Sequence, residues 1–167
     1  MKIISIHQPT YLPWLGFFKK ISSSDVFVFL DDVQYEKNGF QNRNKIRTDE
    51  GENWLTVPIT GKFGTLLKDI QIDNSSNWSK KHSKSIVQNY TKAKYFHEYW
   101  NEFESIYERK FEFLIDLNVE IIKLIMKKLN NYYCQLNILT PLEETRLIMV
   151  MFLIMNWQYS MKNHMFF

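Results

Sequence analysis

Cysteine is almost absent. The chain of 167 residues has one, Cys134, which excludes an internal disulfide framework and a cysteine-rich zinc site. The four histidines, His7, His82, His97 and His164, show no HExxH or related spacing, so no dedicated metal centre is expected. No GxxxxGK(S/T) or GxGxxG run cradles a phosphate, and no GxSxG elbow presents a serine nucleophile. Long apolar runs are missing too. The longest, Leu147–Met155, is nine residues, far short of the ~20 that a membrane-spanning helix needs. Met1–Pro9 lacks the apolar core of a signal peptide, so a cytoplasmic location is expected. A formal charge of +3 demands neither nucleic acid nor an anionic membrane, and no nucleic-acid partner is expected.

What is present suits a single globular domain. Hydrophobic residues make up 45% and charged residues 23%, which is enough apolar material for a core and too little charge for wholesale disorder. The chain has one alanine, Ala93, among abundant Ile, Lys, Asn, Tyr and Phe. That bias reads as AT-rich coding, so the Lys and Asn counts carry less functional meaning. Composition also divides the chain, with all five glycines inside the first 64 residues and five of the seven methionines after residue 148.

Lys2–His7 reads as a short buried strand stopped by Pro9, since proline cannot donate to a ladder. Trp14, Phe17, Phe18 and Ile21 then recur at helical spacing behind Pro13. Asp25–Leu30 is a second buried strand, closed by Asp31 and Asp32. Strand, helix and strand in some thirty residues predict a βαβ unit with parallel strands. Between Gln34 and Lys45 the chain is polar and aromatic, and Asn38-Gly39 predicts a hairpin or a folded loop. Trp54–Thr60 alternates like a strand, with Pro58 arguing for an edge, and Leu67–Ile72 is a weaker strand. From Trp78 the pattern is helical. Ile86, Val87 and Tyr90 make one stripe, and a longer one runs from Phe103 to Ile125. The fold class predicted is α/β: a Rossmann-like, partly parallel sheet opened by a βαβ unit, followed by a helical C-terminal half. Pro141–Phe167 breaks this pattern, since it has no glycine and its apolar block has no polar face. Cys134 reads as a buried filler near a helix end.

In open α/β sheets functional groups gather beyond the carboxyl ends of the strands. That rule brings His7, Gln8 and Tyr11 together with Asp31, Asp32 and Gln34. A histidine with a carboxylate in reach is a minimal general-base pair, so His7 and Asp31 are the catalytic candidates. Asn42, Arg43 and Lys45 follow, and an Arg guanidinium beside a Lys suits a phosphate or carboxylate. Each has a plainer reading. His7 also reads as a structural hydrogen-bonder, Asp31 and Asp32 as a turn cap, and Arg43 with Lys45 as a solvated face. Trp14, Phe17 and Phe18 fit a core better than a ligand platform. The lysines around His82 fit the start of a surface helix.

Four phrases carry a resemblance. They are His7-Gln8-Pro9-Thr10-Tyr11-Leu12-Pro13-Trp14-Leu15-Gly16-Phe17-Phe18, Leu30-Asp31-Asp32-Val33-Gln34-Tyr35, Gln41-Asn42-Arg43-Asn44-Lys45-Ile46 and Trp54-Leu55-Thr56-Val57-Pro58. In this order they closely resemble the WbqC-like protein family, from residue 2 to about residue 130, with Trp78, His82 and Asn89-Tyr90 in keeping. The resemblance implies a role in O-antigen or related polysaccharide synthesis, with glycine or other acyl transfer to a sugar intermediate as the suggested activity. The matched positions are His7, Gln8, Tyr11, Trp14, Asp31, Gln34, Asn42, Arg43, Lys45 and Trp54. Family members continue with a Ser- and Leu-rich helix and a Tyr-Leu-Ser-Gly-type segment, which this chain lacks. The expectation is therefore a family domain over residues 1–138, incomplete relative to the family, and an atypical hydrophobic tail over 139–167 of the kind a shifted reading frame gives.

Three functions follow. The first is a transferase in which His7 is the base, Asp31 orients it, Arg43 and Lys45 hold an anion, and Tyr11 and Trp14 stack on a sugar or base. Gln8, Gln34, Asn42 and Trp54 complete its substrate site. The second is a nucleotidyltransferase-like enzyme, loosely like the HIGH-motif class. The third is a non-catalytic accessory or ligand-binding protein. The partner expected is a small sugar or nucleotide-sugar; no cofactor or oligomeric state is specified.

Overall fold

A computed structural model of the chain describes residues 3–62, 64–129 and, as backbone, 135–139. Cys134, the proposed domain boundary's far side and the Pro141–Phe167 block, apart from residue 139, lie outside the described residues.

The chain opens with β1 (Ile4–His7), α1 (Leu15–Ser22) and β2 (Val26–Leu30). β1 and β2 run parallel, with Ile4 beside Val26 and His7 beside Phe29, so the expected βαβ unit is present. Helix α1 turns Phe17, Phe18 and Ile21 onto the sheet, where Phe17 meets Phe27 edge-on at 5.5 Å. Trp14, expected in that core, is instead half-exposed at the helix start. A third strand, late in the sequence, is β7 (Gln135–Leu139); it pairs parallel with β2, giving the order β1-β2-β7. β2 is thus central and buried. β1 is an edge, with Ile3 and Ile4 more than half exposed, so the buried-strand expectation fails for its first residues.

The polar stretch contains structure that its composition hides. β3 (Arg43–Thr48) and β4 (Gly51–Thr56) form an antiparallel hairpin. Thr48 lies opposite Gly51, so the turn is Asp49-Glu50. Asn38-Gly39 makes the alternative folded loop: Gly39 N–H donates to Glu36 O at 3.1 Å, and Asn38 takes a left-handed φ of 68°. The predicted continuous strand Trp54–Thr60 is split at Val57-Pro58. Val57 N–H still bonds Asn42 O at 2.8 Å, the next pair of the hairpin register, and the ladder stops at Pro58, which has no donor. β5 (Ile59–Thr60) then pairs with β6 (Gln71–Ile72). The weak strand expected over Leu67–Ile72 is a 3₁₀ turn, Leu67–Asp69, followed by β6.

Three helices complete the fold: α2 (Trp78–Tyr90), α3 (Phe96–Glu108) and α4 (Leu114–Lys128). The long apolar stripe is divided between α3 and α4, because Arg109 is extended and ends the first helix. Helix α4 is buried on two faces. Leu114, Leu117 and Ile121 join a core with Val57, Leu67, Ile70 and Tyr107, while Ile115, Val119, Ile122 and Met126 pack with Phe17, Phe27 and Phe29. The described residues therefore make a mixed α/β arrangement: one parallel sheet, two short antiparallel pairs and a helical second half. No helix among them is long and apolar enough to cross a membrane.

Candidate functional site

Beyond the end of β1 the chain can no longer satisfy its backbone through a ladder, and side chains take over. Asn118, fully buried on α4, donates from Nδ2 to Gln41 O at 2.8 Å and Pro9 O at 3.3 Å. Gln41 Nε2 donates to Gln8 Oε1 at 2.7 Å, and Gln41 Oε1 accepts from Glu36 N–H at 2.8 Å. Asn42 donates to Val57 O at 2.9 Å and accepts from the Tyr35 hydroxyl at 2.8 Å. Asn44 Nδ2 reaches Leu12 O at 2.6 Å. Buried amide side chains thus fix the post-β1 loop, the 36–42 loop and the hairpin relative to one another, as buried polar groups require.

These loops enclose a cavity of about 950 Å³. Gln8, Gln34, Asn42 and Arg43 line it, so the structure brings together four of the sequence candidates from three different segments. Tyr35, Glu36, Lys37 and Lys62 complete much of the wall. Its three cations, Lys37, Arg43 and Lys62, form no ion pair among the described residues, and Glu36 is the single carboxylate beside them. The wall is therefore amide-rich and electropositive. That chemistry suits a hydroxylated, anionic ligand.

The other candidates lie around this cavity rather than in it. Lys45 and Trp54 are cross-strand partners on the same hairpin face as Arg43. Arg43 Cζ sits 4.4 Å from the Trp54 ring centroid and Lys45 Nζ 5.1 Å from it, with Lys45 also paired to Glu52. Arg43 Nη2 donates to Asn38 O at 2.6 Å. The expected Arg–Lys anion clamp is thus partly committed to protein partners.

His7 stands at the end of β1 against α1. Its ring meets Phe17 at 5.2 Å and Trp14 at 6.0 Å, both edge-on. Trp14 folds back over Gly16, where a Cβ would lie 2.5 Å from Trp14 Nε1, so this approach needs glycine. His7 Nδ1 is 2.8 Å from Gln8 O, and because a carbonyl can only accept, Nδ1 carries the hydrogen and Nε2 the lone pair. Burial lowers the His7 pKa, with the Lys20 charge acting the same way and the Gln8 carbonyl opposing them, so the ring is neutral at neutral pH. The tautomer expected from an Asp31 contact is set instead by the Gln8 carbonyl. Asp31 is buried at the end of β2, and its Oδ1 makes no hydrogen bond among the described residues. Burial raises its pKa and Asp32 and Asp69 add to the effect, against its own backbone N–H and Lys68.

Tyr11 needs correction. Its ring is wholly buried and offers no face to a sugar. Its hydroxyl lies 2.9 Å from His82 Nδ1 and 2.7 Å from the Tyr107 hydroxyl. His82 also bonds the Thr56 backbone, yet burial holds its pKa down at about 4, and Tyr107 is pushed up to about 12 by burial. A neutral His82 that donates to Thr56 O accepts at Nδ1 from Tyr11, which then accepts from Tyr107. Sequence reading set His82 among surface lysines. Lys80, Lys81 and Lys84 are indeed exposed, but His82 occupies the inward position of α2. Gln41 and Asn118 were missed as well; an Asn between Leu117 and Val119 inside an apolar helical stripe was the available signal.

Comparison with known proteins bears directly on these segments. The profile of the WbqC-like protein family matches residues 8–148, most of the chain and all the segments that wall the cavity. This chain belongs to the WbqC-like protein family. The match passes residue 138, where the sequence reading set its domain boundary. The WbqC-like chain is also 39% identical over 100 residues to the uncharacterized protein Rv1507c of Mycobacterium tuberculosis. That alignment covers 59% of this chain and 43% of the relative, so the chain spans less than half of the relative's length. No solved structure matches it.

Proposed function

We propose that this WbqC-like protein is a transferase that places a glycyl or other acyl group on an amine or hydroxyl of a sugar intermediate, in the synthesis of O-antigen or another surface polysaccharide. The observation that carries the reading is the cavity, with amide and phenol groups to meet sugar hydroxyls and three cations that form no ion pair among the described residues. The domain assigned to this work is residues 1–138, with β1-β2-β7 read as a Rossmann-like sheet. Gln8, Gln34, Asn42, Arg43, Lys45 and Trp54 are assigned to substrate binding, and Trp14 to the wall beside His7.

Acyl transfer needs a base, because the attacking amine or hydroxyl must lose its proton as the new bond to the acyl carbon forms and the donor's leaving group departs. Neutral His7, with its lone pair on Nε2, is assigned that proton. Asp31 is assigned the countercharge that favours the resulting imidazolium. Replacing His7 with Gln should lower turnover by about 10²- to 10⁴-fold and leave the circular dichroism spectrum and melting temperature unchanged. Because burial lowers the His7 pKa, the acid limb of the pH–rate profile should fall below pH 6.5. A His7→Gln protein that still transfers acyl groups at the parent rate would remove His7 from the mechanism.

A further inference from the structure

One side of the cavity continues onto an exposed aromatic ledge. Phe40 is 51% exposed and Trp54 40% exposed, and their ring centroids lie 6.1 Å apart at 33°. Neither serves the core. The hairpin's inward face is supplied by Ile46 and Leu55, both buried, while Arg43, Lys45 and Trp54 project from the other face. Arg43 and Lys45 cover part of the Trp54 ring, yet the pair still leaves apolar surface in water, which is costly unless something covers it.

The ledge is pinned in place. Phe40 O accepts the Tyr11 N–H at 3.0 Å, and Tyr11 is itself locked in the core. Trp54 is fixed by the β3–β4 register opposite Lys45. Arg43 joins ledge to cavity: it lines the cavity, lies over the Trp54 ring, and is braced by Asn38 O. Its Nε is buried and makes no hydrogen bond among the described residues, while the side chain lines the cavity where the two surfaces meet.

An exposed aromatic ledge, a guanidinium at its border and a polar cavity, in that order, describe a ligand with three parts. We infer that the site takes a nucleotide-activated sugar: its base rests on Phe40 and Trp54, its phosphates meet Arg43, and its sugar enters the cavity. This rests on the cavity reading above and adds the activating nucleotide to it. The volume of about 950 Å³ lies in the range of small-molecule sites, ample for the sugar part. Tryptophan with neighbouring cations suits a base, which offers a π-face whatever its identity.

The test is calorimetry on the full chain with four probes: a set of nucleoside diphosphate hexoses covering the common bases, the matching nucleoside diphosphates, glucose 1-phosphate, and oligothymidylate. At least one nucleotide sugar should bind tenfold or more tightly than glucose 1-phosphate. Phe40→Leu should weaken that nucleotide sugar by about tenfold, the scale of one lost base–aromatic stack, and leave glucose 1-phosphate within twofold; Trp54→Leu should weaken the nucleotide sugar at least as much. Either variant suffices if the other fails to fold. If glucose 1-phosphate binds and no nucleotide binds more tightly, the nucleotide inference is overturned while the cavity reading stands. Binding of neither overturns both. Oligothymidylate binding more tightly than every nucleotide sugar overturns the inference in favour of a single-stranded nucleic-acid surface.

Discussion

Asn118 shows how much of the site hangs on one side chain. Its amide donates to carbonyls 77 and 109 residues away, tying α4 to both loops beside the cavity. Asn118→Leu keeps much of the volume but leaves two buried acceptors without this donor, which costs about 1–3 kcal/mol for each one left unsatisfied. We expect a loss of at least about 2 kcal/mol in urea unfolding, and a loss below about 0.5 kcal/mol would show that the loops hold without it. His82 acts at the same scale through pH. In the unfolded chain it titrates near 6.5, whereas burial holds it neutral down to about 4. Between those values the unfolded state binds more protons, so stability is full above pH 6.5 and is lost as pH falls toward 4. The loss is on the order of 3 kcal/mol. His82→Gln should remove most of that slope; an unchanged slope would assign acid sensitivity to other groups. In the sequence only the place of Asn118 inside an apolar stripe hints at such a role and nothing marks His82, because the partners of both are set by tertiary folding rather than by local spacing.

At the scale of elements, legibility followed the hydrophobic pattern. β2 and α1 carry strong apolar periodicities, Val26 to Leu30 and Phe17, Phe18 and Ile21, and both form as predicted. β3 did not declare itself, since Arg43, Lys45 and Arg47 alternate with Asn44, Ile46 and Thr48 and give it one apolar residue. Its inward polar position is satisfied by backbone instead, through Asn44 to Leu12 O. Likewise, the strongest turn signal, Asn38-Gly39, shaped a loop, while the hairpin turned at Asp49-Glu50 next to a glycine. Gly51 has φ of +122°, a conformation that L side chains rarely adopt, although open space surrounds its missing Cβ. Gly51→Val should therefore be costly through backbone strain rather than through a clash. We expect about 1–3 kcal/mol, read as a lower melting temperature; an unchanged one would mean that the turn shifts to relieve φ.

The whole molecule is held by α4. One of its faces completes the core under the hairpin and the 3₁₀ turn, and the other completes the core under the parallel sheet. The cavity draws walls from both sides of this division, Gln8 beyond the sheet and Arg43 with Thr56 from the hairpin. If the two cores melted apart, the cavity would come undone first and the candidate residues would lose their mutual geometry. A shared helix argues the opposite, because α4 cannot leave one core without exposing the other. Leu117→Ala and Ile122→Ala remove fully buried side chains from opposite cores. Each should cost about 2–5 kcal/mol, and each should lower one common midpoint seen by both tryptophan fluorescence and far-ultraviolet circular dichroism. Two separated transitions in either variant, with only one displaced by the substitution, would show two cores folding independently. The site would then be an interface between them, and its geometry would depend on how they dock rather than on how one core packs.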